Sequence, residues 1–235
     1  MHQSDLGSFA DTWLIVPCFN EGQVIREVLS DALRTFPNIV AVDDGSSDNS
    51  AAEIHAAGAH LVRHPVNLGQ GAALQTGVEY ARAQPGAKFF GTFDADGQHQ
   101  TKDMAAMVER LRADEADIVV GTRFAHGQDA GEVPWLKRLV LRTVVVLSPS
   151  TRRLGLTDAH NGLRAFNRRV AQELNLRMNG MSHASEFVDL MSQNQWRVAE
   201  QPVDILYTEY SMAKGQSLIN GVNILADGFV SKRLR

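Results

Sequence analysis

The sequence predicts an α/β fold built on a mostly parallel, doubly wound sheet, and three observations predict it. Apolar runs of strand length recur at Trp13–Val16, Ile39–Val42, His60–Arg63, Phe89–Phe93 and Ile118–Gly121. The stretches between them carry apolar residues at helical spacing and are long enough for crossover helices, which parallel strands require. Asp44, Asp94, Asp96 and Arg123 all fall where those strands end, and open α/β sheets gather ligands at the carboxyl ends of their strands.

In order, Trp13–Val16 ends at Pro17, and Asn20 is placed to cap a helix carrying Val24, Ile25, Val28, Leu29 and Leu33. After Pro37-Asn38, Ile39–Val42 opens into the acidic turn Asp43–Asp48, where Asp43 is a candidate cap for the next helix. That helix, Ser50–Ala57, stops at Gly58. His60–Arg63 leads through Asn67-Leu68-Gly69-Gln70-Gly71 into a helix bearing Leu74 and Val78, and the glycines fit a tight turn with close backbone approach. No Gly-Lys-Ser/Thr follows, so the Walker pattern of an ATPase is absent. The phenylalanine-rich strand then delivers Asp94-Ala95-Asp96-Gly97, and helix Thr101–Arg112 precedes Ile118–Gly121. Beyond Arg123 the rhythm changes: 125–133 reads as a polar lid or acceptor loop and 135–147 as a helix. Asp158–Phe166 is a polar turn entering a strand, helices are expected near 168–175 and 186–195, and Trp196–Ile205 with Pro202 fits an edge strand.

The chain of 235 residues, 44% hydrophobic, can bury a full core. Its formal charge of -4 offers no field for nucleic acid. The single cysteine, Cys18, excludes an internal disulfide and fits a reducing compartment, so the cytoplasm is the expected location. The division expected is a flexible tail at 1–11, one catalytic domain at 12–214, and an amphipathic helix with a basic end at 215–235. That helix would pack on the domain, on a second copy of the chain, or on anionic lipid at the cytoplasmic face of a membrane.

Asp94 and Asp96 are the chemical centre of this reading. Two carboxylates one residue apart repel one another and resist burial without a cation. Magnesium or manganese suits such oxygen donors, and either ion can also hold a diphosphate. The plainer alternative is a surface turn whose aspartates cap the helix at Thr101.

The ordered series Val16-Pro17-Cys18-Phe19-Asn20-Glu21, Val42-Asp43-Asp44-Gly45-Ser46-Ser47-Asp48, Asn67–Ala72, Asp94-Ala95-Asp96-Gly97-Gln98, Gly121-Thr122-Arg123 and Asp158–Phe166 resembles the nucleotide-sugar-dependent glycosyltransferases of family 2. Among these it is most similar to the catalytic domains of dolichyl- or polyprenyl-phosphate mannose and glucose synthases. The resemblance implies the GT-A fold, a Rossmann-like three-layer α/β/α sandwich. It implies that Pro17, Phe19, Asn20, Glu21, Asp44, Asp94, Ala95 and Lys214 bind the nucleotide, Asp44 through a base N–H and Glu21 through ribose hydroxyls. It implies a metal, Mg2+ or Mn2+, held by Asp94 and Asp96 with Gln98 beside it. Asp96, Arg123, Asp158, Arg164 and Glu186 are the implied catalytic set, with Arg123 near a phosphate. An exposed lysine remains the plain alternative for Lys214, and a salt bridge to a nearby aspartate that for Arg123.

The activity so implied is inverting transfer of a sugar from a nucleotide-sugar donor to a polyprenyl or dolichyl phosphate, as in cell-envelope biosynthesis. A lipid phosphate is already a nucleophile, whereas a glycan or glycolipid hydroxyl would need Asp158 or Glu186 as general base. Asn161 and Leu163 depart from the small and aromatic residues usual in the synthases, which leaves hydroxyl transfer open. A nucleotide-sugar binding protein without catalysis is the non-enzymatic alternative, against which the retained Asp94, Asp96 and Arg123 weigh.

Overall fold

Alternation along the first strand sets the architecture. In β1 (Thr12–Cys18) Trp13 and Ile15 enter one apolar cluster while Leu14 and Val16 enter another, so the strand is buried on both sides and needs a helical layer on each. The computed structural model describes residues 9–123, 153–158, 161–180 and 182–206. Within them β1, β2 (Asn38–Asp43), β3 (His60–Arg63), β4 (Phe89–Thr92), β5 (Ile118–Thr122), β6 (Arg164–Asn167) and β7 (Val198–Pro202) form one sheet in the order β3-β2-β1-β4-β6-β5-β7.

The sheet is a mixed, mostly parallel one. β6 runs antiparallel to both β4 and β5, with Thr92 opposite Arg164 and Val120 opposite the same residue, while the other neighbours are parallel. The reversal puts the amino end of β6 at the edge where the parallel strands end, which brings the 161–164 segment to that edge. β7 lies outermost, so Pro202 needs no ladder donor on its free side.

The helices α1 (Ile25–Leu33), α2 (Ser50–Ala57) and α4 (Thr101–Arg112) pack on one face through Ile25, Leu29, Ile54, Met104, Met107 and Val108. On the other face α3 (Gln70–Arg82), α5 (Arg168–Glu173) and α6 (His183–Gln193) contribute Leu74, Val78, Val170, Phe187 and Met191. Gly77 of α3 lies so close to β1 that an added Cβ would meet Ile15 Cγ2 at 2.3 Å, which lets helix and sheet touch.

Several expectations are corrected in detail. Asn20 does not cap α1; it adopts a left-handed φ of 54° and accepts from Ser47 N, and α1 begins only at Ile25, after Glu21 O has taken the amides of Val24 and Ile25. Asp43 does not cap α2 but holds the turn before it, accepting from Ser46 N at 2.9 Å. α5 ends at Glu173 and α6 starts at His183, so those helices are shifted from their expected spans. The end of the expected tail is packed: Phe9 is buried against Phe36 and under the Arg112 guanidinium, and Arg112 pairs with Asp11. The expected lid at 125–133, the helix at 135–147, Lys214 and the terminal helix at 215–235 lie outside the described residues. Among those described, no helix is long and apolar enough to cross a membrane.

Candidate functional site

At the edge where the parallel strands end, a cavity of about 620 Å³ opens. Its wall takes Pro17 at the end of β1 and Phe19 just after it, Asp44 after β2, Asp94 and Asp96 after β4, Arg123 after β5, and Asn161, Gly162 and Arg164 at the reversed end of β6. Sequence positions up to 147 apart are thereby brought to one hollow, as the strand-end expectation required.

One end is built by two loops that hold each other. Asn20 N donates to Ser46 Oγ at 2.9 Å, Glu21 N to Ser50 Oγ at 2.9 Å, and Gly22 N to Asp48 Oδ2 at 3.0 Å. Glu21 and Phe19 line the cavity there, and Phe19 is 42% exposed, an apolar ring presented to whatever enters. Asn20 itself serves the loop junction and is not on the cavity wall. Asp44 is buried and accepts from His64 Nδ1 at 2.7 Å, Leu68 N at 2.9 Å and Gly69 N at 2.7 Å. His64 is itself tied to Thr76 Oγ1 at 2.9 Å. Gly69 has a φ of 97°, and a Cβ there would sit 2.3 Å from Asn179 O, so this turn closes only with glycine.

The acidic pair lies deeper. Asp94 keeps 29% of its side chain open to the cavity yet is surrounded by protein, and burial pushes its carboxyl up to about 6 against the opposing pull of Arg164. Asp96 is raised by burial and then by the charge of Asp94. The Asp96 carboxylate accepts from Gln98 N at 3.1 Å, and both residues line the cavity. Gly162 presses on Asp94 so closely that a Cβ would come within 2.5 Å of Oδ2. Neither aspartate caps α4, whose start at Gln100 has no side-chain cap.

Two histidines the sequence did not single out support the acidic residues of the wall. His99 Nδ1 accepts the Asp94 amide at 3.1 Å, which places the ring proton on Nε2, facing Asp94 Oδ2 at 3.5 Å. Burial lowers the histidine's basicity, so it stands as a neutral prop. His64 similarly props Asp44. A histidine directly after a strand (His64) and one five positions beyond a strand-end aspartate (His99) were the available signal, though sequence alone does not tell a prop from a solvated loop residue.

Asp44, Asp94, Asp96, Gln98, Arg123 and Arg164 share the cavity with Pro17, Phe19, Glu21 and Ala95. Arg123 donates from Nε and Nη2 to both carboxylate oxygens of buried Asp158, at 2.7 and 2.9 Å, so the salt-bridge alternative holds alongside its place in the wall. Asp158 therefore faces Arg123 and lies behind the wall, and Glu200 fixes it by accepting from Thr157 N and Asp158 N. Glu186 is placed elsewhere: its carboxylate accepts from Arg177 N at 3.0 Å and Met178 N at 2.8 Å, tying down that loop, and does not line the cavity. His183, one turn earlier, does line it. Lys214 and His160 fall outside the described residues.

Arg164 is 1% exposed, stacks 4.8 Å from the Phe187 ring, and has no hydrogen-bond partner for Nε or Nη2 among the described residues. Burial draws it down to about 10, with Asp94 and Asp158 pulling the other way, so it stays a cation at neutral pH.

The profile of the family described as Glycosyl transferase family 2 matches residues 13–174. The chain belongs to that family. It is 32% identical, over 90% of its length and 92% of the relative's, to a UDP-N-acetylglucosamine–dolichyl-phosphate N-acetylglucosaminyltransferase of Methanococcus voltae. It is 27% identical, over 91% of its length and 82% of the relative's, to the polyprenol monophosphomannose synthase of Mycolicibacterium smegmatis. An uncharacterized protein of Methanocaldococcus jannaschii is 33% identical over 92% of this chain and 89% of that protein. In fold the family member resembles glucosyl-3-phosphoglycerate synthase of Mycobacterium tuberculosis, solved with Mn2+ and UDP-glucose. The TM-score is 0.70 at 16% identity, covering 96% of this chain and 80% of that one. The fold is GT-A, and the family makes the chain a glycosyltransferase.

Proposed function

We propose that this glycosyltransferase moves a sugar, with inversion, from a nucleoside diphosphate to a polyprenyl or dolichyl phosphate. The observation that carries the acceptor class is the placement of Asp158 and Glu186. A hydroxyl acceptor needs a base within hydrogen-bond reach of its proton. Both carboxylates named for that task are turned to other partners, Arg123 for one and two backbone amides for the other. A phosphate acceptor carries its own nucleophilic oxygen and asks for neither. The relatives named for dolichyl-phosphate and polyprenol substrates support the same choice.

Asp94 and Asp96 fit a divalent cation. They lie one residue apart and both are raised chiefly by burial, Asp96 further by the charge of Asp94; no group of three or more acidic, histidine or cysteine side chains converges among the described residues, so the pair would share an ion with other oxygen donors. Two carboxylates and Gln98, completed by substrate oxygens and water, suit magnesium or manganese. When bound, the ion would neutralise charge on the departing diphosphate. The chain's own groups do the rest. Asp44 and Phe19 line the end suited to a base, and Glu21 offers a carboxylate to ribose hydroxyls. Arg164 contributes fixed positive charge beneath the acidic pair, positioned before reaction and so without reorganisation cost. Arg123, held by Asp158 and Glu200, brings a second guanidinium to the wall for a phosphate of donor or acceptor.

The test is incubation of the purified protein with UDP-, GDP- and dTDP-sugars, Mg2+ or Mn2+, and either short-chain polyprenyl phosphate or glycan acceptors, with products resolved by mass. Sugar appearing on the lipid phosphate is expected. Transfer to glycan hydroxyls with none to lipid phosphate would overturn the acceptor class, and loss of transfer is expected on chelation.

A further inference from the structure

Asp44 is ionisable and sits in the cavity wall, yet the protein itself already fills most of its acceptor capacity. A carboxylate has about four lone-pair sites. On Oδ1 two are taken, by the ring N–H of His64 at 2.7 Å and by Leu68 N at 2.9 Å; on Oδ2 one is taken, by Gly69 N at 2.7 Å. Against a carboxylate, which only accepts, the His64 nitrogen at 2.7 Å is the donor, and the Thr76 hydroxyl at 2.9 Å can serve the other nitrogen as a donor. His64 is buried and braced at both nitrogens, and the 67–69 turn is pinned where Gly69 touches Asn179. One acceptor site on Oδ2 is left for a ligand.

Resting on the reading that this cavity holds a nucleoside diphosphate, we propose that its base end selects uracil or thymine over guanine. Uracil and thymine offer a single N–H between two carbonyls, which one remaining lone pair satisfies. Guanine offers a ring N–H and an exocyclic amine side by side, a pair that calls for both oxygens of a carboxylate. Here the second oxygen is closed by His64 and Leu68, so one guanine N–H is left desolvated without a partner. The flanking carbonyls of uracil meet no such conflict, because the charge on Oδ1 is already covered by donors. Cytosine is disfavoured for a different reason: its unprotonated ring nitrogen turns a lone pair toward a lone pair. The apolar face of Phe19 stacks on any base and does not discriminate.

The experiment is calorimetric titration of the intact chain with UDP, GDP, CDP and N3-methyl-UDP, each with saturating Mn2+, so that the diphosphate contribution is common to all. UDP is expected to bind roughly 10- to 100-fold tighter than GDP, the range for one unsatisfied donor. N3-methyl-UDP, which differs from UDP only at the N–H, is expected to fall at least as far, and CDP with it. GDP binding as tightly as UDP, or N3-methyl-UDP matching UDP, overturns the base selection while leaving the donor site standing. Failure of every nucleoside diphosphate to bind removes the donor site and the selection together.

Discussion

Replacing Asp94 with Asn should stabilise the metal-free protein at neutral pH while abolishing transfer. The Asp94 carboxyl is raised from 3.8 to about 6, chiefly by burial. Because its folded-state value lies above the unfolded one, folding takes up a proton between those limits, and the wild type loses stability as pH rises through them. The penalty is complete above about pH 6 and absent below about pH 4. Two units correspond to about 3 kcal/mol. The 29% of the side chain open to the cavity admits water, so roughly 1 to 3 kcal/mol is the reasonable span. For a chain of this size that is a Tm gain of about 3 to 10 °C. The assay is differential scanning fluorimetry of wild type and Asp94→Asn in EDTA from pH 4 to 8. The gain should grow with pH and vanish at the acid end, and Mn2+ with UDP should raise the Tm of the wild type far more than that of the variant. A variant less stable than wild type at pH 7.5 in EDTA would refute the reasoning, because it would mean that Arg164 and His99 already compensate the charge.

Three other outcomes follow from the same geometry. Arg123→Met leaves Asp158 buried and unpaired and should cost about 3 to 5 kcal/mol, whereas Arg123→Met with Asp158→Leu should recover more than half of that in denaturant unfolding. Gly69→Ala forces a Cβ onto Asn179 O and a side chain into a left-handed φ; it should lower Tm and weaken UDP binding at least tenfold, since the Gly69 amide would leave Asp44, and unchanged UDP affinity by calorimetry counts against that link. Glu186→Gln should lower stability by about 1 to 2 kcal/mol by weakening its bonds to Arg177 and Met178, with kcat on lipid phosphate within a few-fold of wild type; a fall of 100-fold or more would restore Glu186 as a base.

The strands and their acidic ends were legible in the sequence because they depend on local pattern. Ile39–Val42 followed by Asp43-Asp44, and Phe89–Phe93 followed by Asp94, are continuous apolar runs closed by residues that resist burial, and both lie at the predicted edge. What the pattern did not carry was pairing across the chain. Asn20 has a good capping side chain, but the amide of Ser47, 27 positions away, claims it. Glu186 sits at helical spacing near a family acceptor position, yet its target is a loop 8 and 9 residues upstream, a partnership decided by where α6 docks. His64 and His99 were silent for the same reason: each acts through a contact that exists only once the strand ends are brought together. The direction of β6 is likewise invisible to periodicity, which reads the same forwards and backwards.

That reversed strand shapes the charge of the centre, and with it how strongly its ligands depend on one another. Thr92 on β4 donates to Gly162 O at 2.6 Å, Gly162 abuts the Asp94 carboxylate, and Arg164 follows two residues further along the same stretch. Asp94 and Arg164 are thus held by one local framework, with the cation offsetting about one of the two carboxylate charges. A divalent ion added alone would leave this cluster with a surplus of positive charge around Arg164, whose Nε and Nη2 have no hydrogen-bond partner among the described residues. A diphosphate added alone would face Asp94 and Asp96 unshielded. The ion and the diphosphate bring opposite charges to one cluster, so each should strengthen the other, and by linkage the factor must be the same in both directions. We expect calorimetry to give weak Mn2+ binding without nucleotide and weak UDP binding without metal, with a coupling of roughly 5- to 150-fold when both are present. The Arg164→Gln variant, if it folds, should bind Mn2+ alone more tightly than wild type and lose most of the coupling. Equal Mn2+ affinity with and without UDP would show that the acidic pair and the diphosphate do not share one centre.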